Sequence, residues 1–236
     1  MTQSPGHHQP TVLLIGASRG LGLAMAAEFV KKRWHVVGTM REGRHSPLED
    51  LAVAYPEAVT VEHLDITQPA QIAALRHRLA DRLFDMLFIN AGTANRDQAE
   101  TIAETTDEEF IRVMLTNALG VMRAVEGLQS LVRPAGLIGV MSSGQGSITN
   151  NLKGGHEVYR GSKAALNQYM RSYAARHQDQ RALILMAPGW IRTELGGPDA
   201  TFSIEETIPQ LVDTLVAQQG RPGLRFIDRH GQSLPW

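Results

Sequence analysis

The run Thr11-Val12-Leu13-Leu14-Ile15-Gly16-Ala17-Ser18-Arg19-Gly20-Leu21-Gly22 decides the fold of this chain. Residues 11–16 form a short, almost wholly apolar stretch, the pattern of a strand covered on both faces. Residues 20–32 then read as a helix that closes on Lys31-Lys32-Arg33, cations suited to a helix C-terminus. Glycines at a strand–helix junction tighten the turn and let backbone approach a pyrophosphate, which the positive end of the helix dipole then holds. Their spacing is G-x-x-x-G-x-G, not the commoner G-x-G-x-x-G.

The same alternation continues outward. Further strands are expected at residues 35–39, 59–63, 86–89, 137–141, 182–186 and 224–227. Helices are expected at 68–83, 107–117, 119–131, 158–176 and 204–219. The last is the best punctuated, with Ser203 as N-cap, Glu206 three residues on and Gly220 beyond its end. Seven mostly apolar strands alternating with helices predict an α/β chain, a doubly wound parallel sheet with helices on both faces. The chain has 236 residues, no internal repeat and no Gly-, Ser- or charge-rich linker. One domain over residues 11–236 is expected, after a polar tail at residues 1–10.

Composition narrows the function. The 23 Lys+Arg against 24 Asp+Glu leave a formal charge of −1, without the electrostatic drive of nucleic-acid or anionic-membrane binders. The absence of cysteine removes disulfides, thiolate nucleophiles and cysteine-held metals. The nine histidines are scattered, with no H-E-x-x-H, so no metal site is expected. Nothing approaches the roughly 20 apolar residues of a membrane span. No basic-then-apolar leader is read at the start, and a cytoplasmic protein is expected.

Other landmarks are Asn90-Ala91-Gly92 after the fourth strand, Asn117 in a later helix, and Ser143 after the fifth strand. Tyr159-Arg160-Gly161-Ser162-Lys163 follows, and then Pro188-Gly189-Trp190-Ile191-Arg192-Thr193 after the sixth strand. With these the chain resembles the short-chain dehydrogenase/reductase family over residues 11–236, most closely the C-factor-like and sniffer-like carbonyl reductases. Met141-Ser142-Ser143, Gly146-Ser147-Ile148, the run from Tyr159 to Asn167, Phe226-Ile227-Asp228 and Leu234-Pro235-Trp236 carry the closer likeness. The resemblance implies a Rossmann fold, hydride exchange between a nicotinamide and a carbonyl or alcohol, and a homodimer paired through the helices at 119–131 and 158–176. Two positions depart from the family pattern. Ile15 stands where Thr is frequent, and Ile89 where the first of two asparagines is frequent, so altered support of those turns is expected.

Hydride delivery to a carbonyl carbon leaves charge on the oxygen, and a positioned acid must supply a proton there. Tyr159 and Lys163 are one helical turn apart on one face. An ammonium beside the phenol favours phenolate and lowers a tyrosine pKa of about 10. The resemblance assigns Tyr159 as acid/base and Lys163 as its partner, also holding the nicotinamide ribose. It assigns Ser143 to the substrate oxygen and Asn117 to a water in a relay to Lys163. Ser142 and Ser147 are adjacent candidates, and the family pattern favours Ser143. Residues 150–156, with Gly154-Gly155, lengthen the interval between Ser143 and Tyr159.

A dinucleotide site that prefers NAD usually has an acid about 20 residues after the glycines. Here Met40 stands in that place and Arg41 follows, with Arg19 inside the turn as a second cation. Guanidinium groups suit a 2′-phosphate, so NADP(H) is the expected cofactor; two solvated surface arginines are the plainer alternative. The expected cofactor set is Gly16, Ser18, Arg19, Gly20, Leu21, Gly22, Arg41, Asp65, Ile66, Asn90, Ala91, Gly92, Tyr159, Lys163, Pro188, Gly189, Ile191 and Thr193. Asp65-Ile66 resembles the pair that meets the adenine. Trp190 lines the substrate pocket or packs on the cofactor side, and the short stretch 194–202 predicts an open pocket. The leading function is an NADP(H)-dependent reductase of aldehydes, ketones or quinones. An NADP(H) sensor of C-factor type with little turnover is the alternative. A methyltransferase would leave the Tyr–Lys pair unexplained.

Overall fold

In β1 (Thr11–Ile15) successive side chains enter two separate cores: Leu13 and Ile15 join one, Val12 and Leu14 the other. Both faces being dry explains the unbroken apolar run. The computed structural model describes residues 9–43, 45–177 and 180–236. Of the tail expected at 1–10, only Gln9 and Pro10 fall within these. The Pro10 carbonyl already accepts the His35 N–H at 2.9 Å.

With β2 (His35–Met40), β3 (Val59–His63), β4 (Phe84–Ile89), β5 (Val132–Met141), β6 (Ala182–Ala187) and β7 (Gly223–Asp228), β1 builds a seven-stranded sheet. The order is β3-β2-β1-β4-β5-β6-β7 and every pairing is parallel. The helices are α1 (Gly20–Lys31), α2 (Pro47–Ala54), α3 (Pro69–Arg78), α4 (Asp107–Met114), α5 (Val121–Leu128), α6 (Glu157–His177) and α7 (Ile204–Gln218). Phe29 of α1, Leu48 of α2 and Leu211 of α7 fill one core, while Leu75 of α3, Val125 of α5 and Met170 of α6 fill the other. This is the doubly wound α/β architecture. The strand order reverses between β1 and β4, and a crevice at their carboxyl ends is where such sheets take ligands. Among the described residues no helix is long and apolar enough to cross a membrane.

Four elements differ from the expectation. α2 was not anticipated, yet Ser46 caps it in a full capping box with Glu49, and Pro47 opens it. α3 stops at Arg78, short of the expected end at residue 83. The helices expected at 107–117 and 119–131 are one helical run: α4 passes through a π-helical turn, Leu115–Gly120, into α5. β5 begins five residues early, where its register against β4 shifts between Phe84 and Met86. Pro134 sits within that irregularity, where a missing N–H is tolerated.

Candidate active site

The glycine turn is built by close approach. A Cβ on Gly22 would lie 2.0 Å from the Gly16 carbonyl oxygen, and one on Gly16, at φ +86°, would lie 2.8 Å from the Ala91 nitrogen. Ile15 and Ile89 are buried in the core, and the turn is braced from elsewhere. Thr39 Oγ1 accepts the Gly16 N–H at 2.9 Å, and Asn90 Nδ2 donates to the Gly16 carbonyl at 2.8 Å.

α1 begins without a side-chain cap and without an acid in its first turn, whereas Ser46, Thr106 and Ser203 cap α2, α4 and α7. Its first N–H groups are left for another acceptor, and Gly20 beside them faces open space. Backbone donors, a positive helix end and room for close approach fit a dinucleotide pyrophosphate. Met40 is buried, and Arg41 after it is exposed at the end of β2. Arg19 is exposed and forms an ion pair with Glu194 from the segment after β6. Ile66 is buried in the core, and one Asp65 oxygen is engaged by the Thr67 N–H and hydroxyl, at 2.8 and 2.7 Å. For these two, the Ile66 side chain is withdrawn into packing and the Asp65 carboxylate is half committed to its own turn. Thr193 Oγ1 accepts the Gly196 N–H at 3.0 Å, and the Trp190 indole donates to the Gly196 carbonyl at 2.8 Å. Pro188–Thr193 thus runs into a tight turn, with Trp190 half exposed on it.

On the other side of the crevice, Ser143 follows β5, and its hydroxyl faces the Tyr159 phenol. All three serines carry local bonds, Ser143 Oγ accepting the Gln145 N–H at 3.1 Å. Ser142 Oγ donates to Asn167 Oδ1 at 2.6 Å, and Ser147 Oγ accepts the Asn150 N–H at 3.2 Å. Lys163 is buried, and its Nζ donates to the Met141 carbonyl at 2.9 Å, with the Tyr159 ring centroid 5.8 Å away. Burial lowers the Lys163 pKa to about 8. Burial also raises that of Tyr159, against an opposing effect of the facing Ser143 hydroxyl. The ammonium is turned toward a backbone carbonyl, and desolvation of the phenolate prevails.

Asn117 lies in the π-helical turn, fully buried. Its Nδ2 donates to the Thr93 carbonyl at 2.8 Å and to Ser162 Oγ at 2.9 Å, and its Oδ1 accepts the Thr93 N–H at 2.8 Å. Ser162 Oγ donates in turn to the Tyr159 carbonyl at 2.7 Å. Asn117 therefore ties the loop after β4 to the helix of Tyr159. A Cβ added at Gly92 would meet both Asn117 Oδ1 and Lys163 Nζ at 3.4 Å, so these groups converge on one small space.

Several members of this assembly were not anticipated. Thr93 is also gripped by Arg112 Nη1 at 2.8 Å, and Arg112 is held by buried Glu109. The Arg112 guanidinium, followed by the Arg96 backbone N–H and charge, holds the Glu109 carboxyl at about 2 despite its burial. Asn167 fixes Ser142 and the Gly146 carbonyl. Thr39 and Thr93 carry no local motif; only their partners distant in sequence reveal them.

Comparisons with known proteins agree with this geometry. A family model described as "Enoyl-(Acyl carrier protein) reductase" matches residues 16–213. A short-chain dehydrogenase/reductase from Burkholderia multivorans with bound NADP is 59% identical, with a TM-score of 0.95 over 97% of this chain and 100% of that one. The carbonyl reductase Sniffer of D. melanogaster is 25% identical, with a TM-score of 0.84 over 97% of this chain and 100% of its own. The C-signal of Myxococcus xanthus is 30% identical over 155 residues, 64% of this chain and 92% of its own length. With the glycine turn, the Ser143–Tyr159–Lys163 cluster and a match spanning most of its length, this chain belongs to the short-chain dehydrogenase/reductase family, near its C-factor-like and Sniffer-like members.

Proposed function

We propose that this protein is an NADP(H)-dependent oxidoreductase that reduces an aldehyde, ketone or quinone, or oxidises the corresponding alcohol, with Tyr159 as the acid/base. The observation that carries this reading is the buried Lys163 ammonium 5.8 Å from the Tyr159 ring, on the phenol that Ser143 faces. When bound, the nicotinamide supplies or accepts the hydride. Ser143 orients the substrate oxygen, and Tyr159 gives it a proton as negative charge develops. The raised Tyr159 pKa keeps the phenol protonated through neutral pH, which suits the reductive direction. Lys163 holds positive charge beneath the phenol and stabilises the phenolate left behind. Asn117, through Ser162, fixes the backbone at Tyr159.

The uncapped start of α1 receives the pyrophosphate, and Arg19 and Arg41 are the cations available to a 2′-phosphate. The similarity to a structure with bound NADP supports that choice. NADPH consumption against a panel of aldehydes, ketones and quinones tests the assignment, run beside NADH and Tyr159→Phe. Turnover that prefers NADPH and falls at least a thousandfold in Tyr159→Phe is expected; turnover unchanged in that variant overturns the role of Tyr159. The second reading, a nucleotide sensor, draws on the likeness to C-signal. NADPH binding without turnover of any carbonyl would select it. As a further part of this proposal, two copies pair through the α5 and α6 faces.

A further inference from the structure

The loop between Ser143 and Tyr159 is tied within itself by short-range hydrogen bonds and meets the rest of the fold at few points. Gly154, Gly155 and His156 all have positive φ, at +66°, +71° and +50°, immediately before α6. Ile148 and Leu152 project into solvent, with Leu152 89% exposed. Among the described residues, hydrogen bonds of 148–155 that reach beyond the neighbouring turns and Arg160 end on one acceptor. The Trp236 backbone oxygen receives both the Thr149 N–H, at 3.0 Å, and the Thr149 hydroxyl, at 2.7 Å.

Trp236 is itself well placed to act as a fixed point. Its ring packs on Phe226 of β7, with centroids 5.6 Å apart, and lies under the Arg171 guanidinium of α6 at 4.5 Å. The chain reaches it through a turn tied by Asp228, whose Oδ1 accepts the N–H groups of His230 and Gln232, both at 2.9 Å. Leu234 N–H then bonds back to the Phe226 carbonyl at 2.9 Å, laying the last residues along β7. Trp236 therefore joins the sheet edge, the helix that carries Tyr159 and Lys163, and the loop that leaves Ser143.

We propose that Trp236 is a positioning residue for the substrate side of the cleft. By pinning Thr149 it holds residues 148–156 beside Ser143 and Tyr159, so that Ile148 and Leu152 form an apolar wall for the carbonyl substrate. The inference rests on the reading of Ser143 and Tyr159 as the reacting pair. Trp236 touches neither, and acts through the position of the loop.

The test compares wild type, Trp236→Ala, Trp236→Phe and Thr149→Val. Trp236→Ala is expected to lower kcat/KM for carbonyl substrates at least tenfold, chiefly through KM, with NADPH affinity within twofold of wild type. Trypsin gives a readout independent of turnover, because Lys153 lies exposed within the loop. Cleavage after Lys153 is expected to accelerate at least fivefold in Trp236→Ala. Trp236→Phe, which keeps a ring on Phe226, restores most of both properties. Thr149→Val removes one of the two bonds and shifts KM and cleavage two- to fivefold in the same direction; it decides the matter if Trp236→Ala does not fold. Cleavage and KM both unchanged in Thr149→Val, or NADPH affinity lost in parallel with turnover in a folded Trp236→Ala, overturn the proposal. Should Tyr159→Phe stay active while cleavage still responds to Trp236, the catalytic reading fails and the anchoring of the loop stands.

Discussion

Lys163 is a buried ammonium, 3% exposed. Burial lowers its pKa from 10.5 to about 8, so the folded chain holds this proton less tightly than the unfolded chain. Between pH about 8 and 10.5 the unfolded chain binds the proton that the folded chain has released. Stability contributed by Lys163 therefore rises with pH across that window and is least favourable below it. The Tm of wild type relative to Lys163→Met is expected to improve steadily from pH 8 to 10.5, as thermal melts across that range would read; a pH-independent difference sinks the argument. Arg19 provides a second residue-scale prediction. If Arg19 holds the 2′-phosphate as proposed, its exposed pairing with Glu194 competes with that role, and such pairs contribute up to about 1 kcal/mol. Glu194→Gln is expected to tighten NADPH binding about two- to fivefold, measured by fluorescence titration. Weaker binding would mean that Glu194 assists the cofactor instead.

At the scale of elements, the π-helical turn joining α4 to α5 does what an uninterrupted α-helix would not: it carries Asn117 to both Thr93 and Ser162. Asn117→Ala removes three hydrogen bonds, one buried and two partly buried, and leaves Thr93 and Ser162 with lost partners. A loss of about 1–3 kcal/mol in urea denaturation is expected, together with reduced turnover. A variant as stable as wild type would show that the tie is dispensable. The residue was legible in the sequence, but the turn was not, because its partners lie 24 and 45 positions away. α2 is the opposite case. Ser46, Pro47 and Glu49 announce its start, yet Leu48 is its one fully buried residue, so no periodic apolar face betrays it. The early part of β5 was masked by Pro134, which only a register shift against β4 accommodates.

For the whole molecule, the outer faces of α4, the π-helical turn and α6 leave apolar side chains uncovered: Phe110 and Ile111, Leu119, and Tyr169 respectively. Apolar groups exposed on neighbouring helices suit the proposed pairing of two copies. Sedimentation at micromolar concentration is expected to give a dimer, and Tyr169→Arg to shift it toward monomer. A monomeric wild type refutes that pairing without touching the catalytic proposal.

Sequence alone determined the doubly wound parallel sheet, because strands dry on both faces must be apolar throughout and the glycine turn must sit where β1 meets α1. Through the family resemblance it also put forward Asn117, Ser143, Tyr159 and Lys163 as candidate groups. Only the tertiary structure decided which serine faces Tyr159, that Lys163 turns to the Met141 carbonyl, and that Arg19 is engaged by Glu194. It alone brought Trp236 to Thr149. Those outcomes depend on desolvation and on bonds between residues far apart in the chain, which no window of sequence contains.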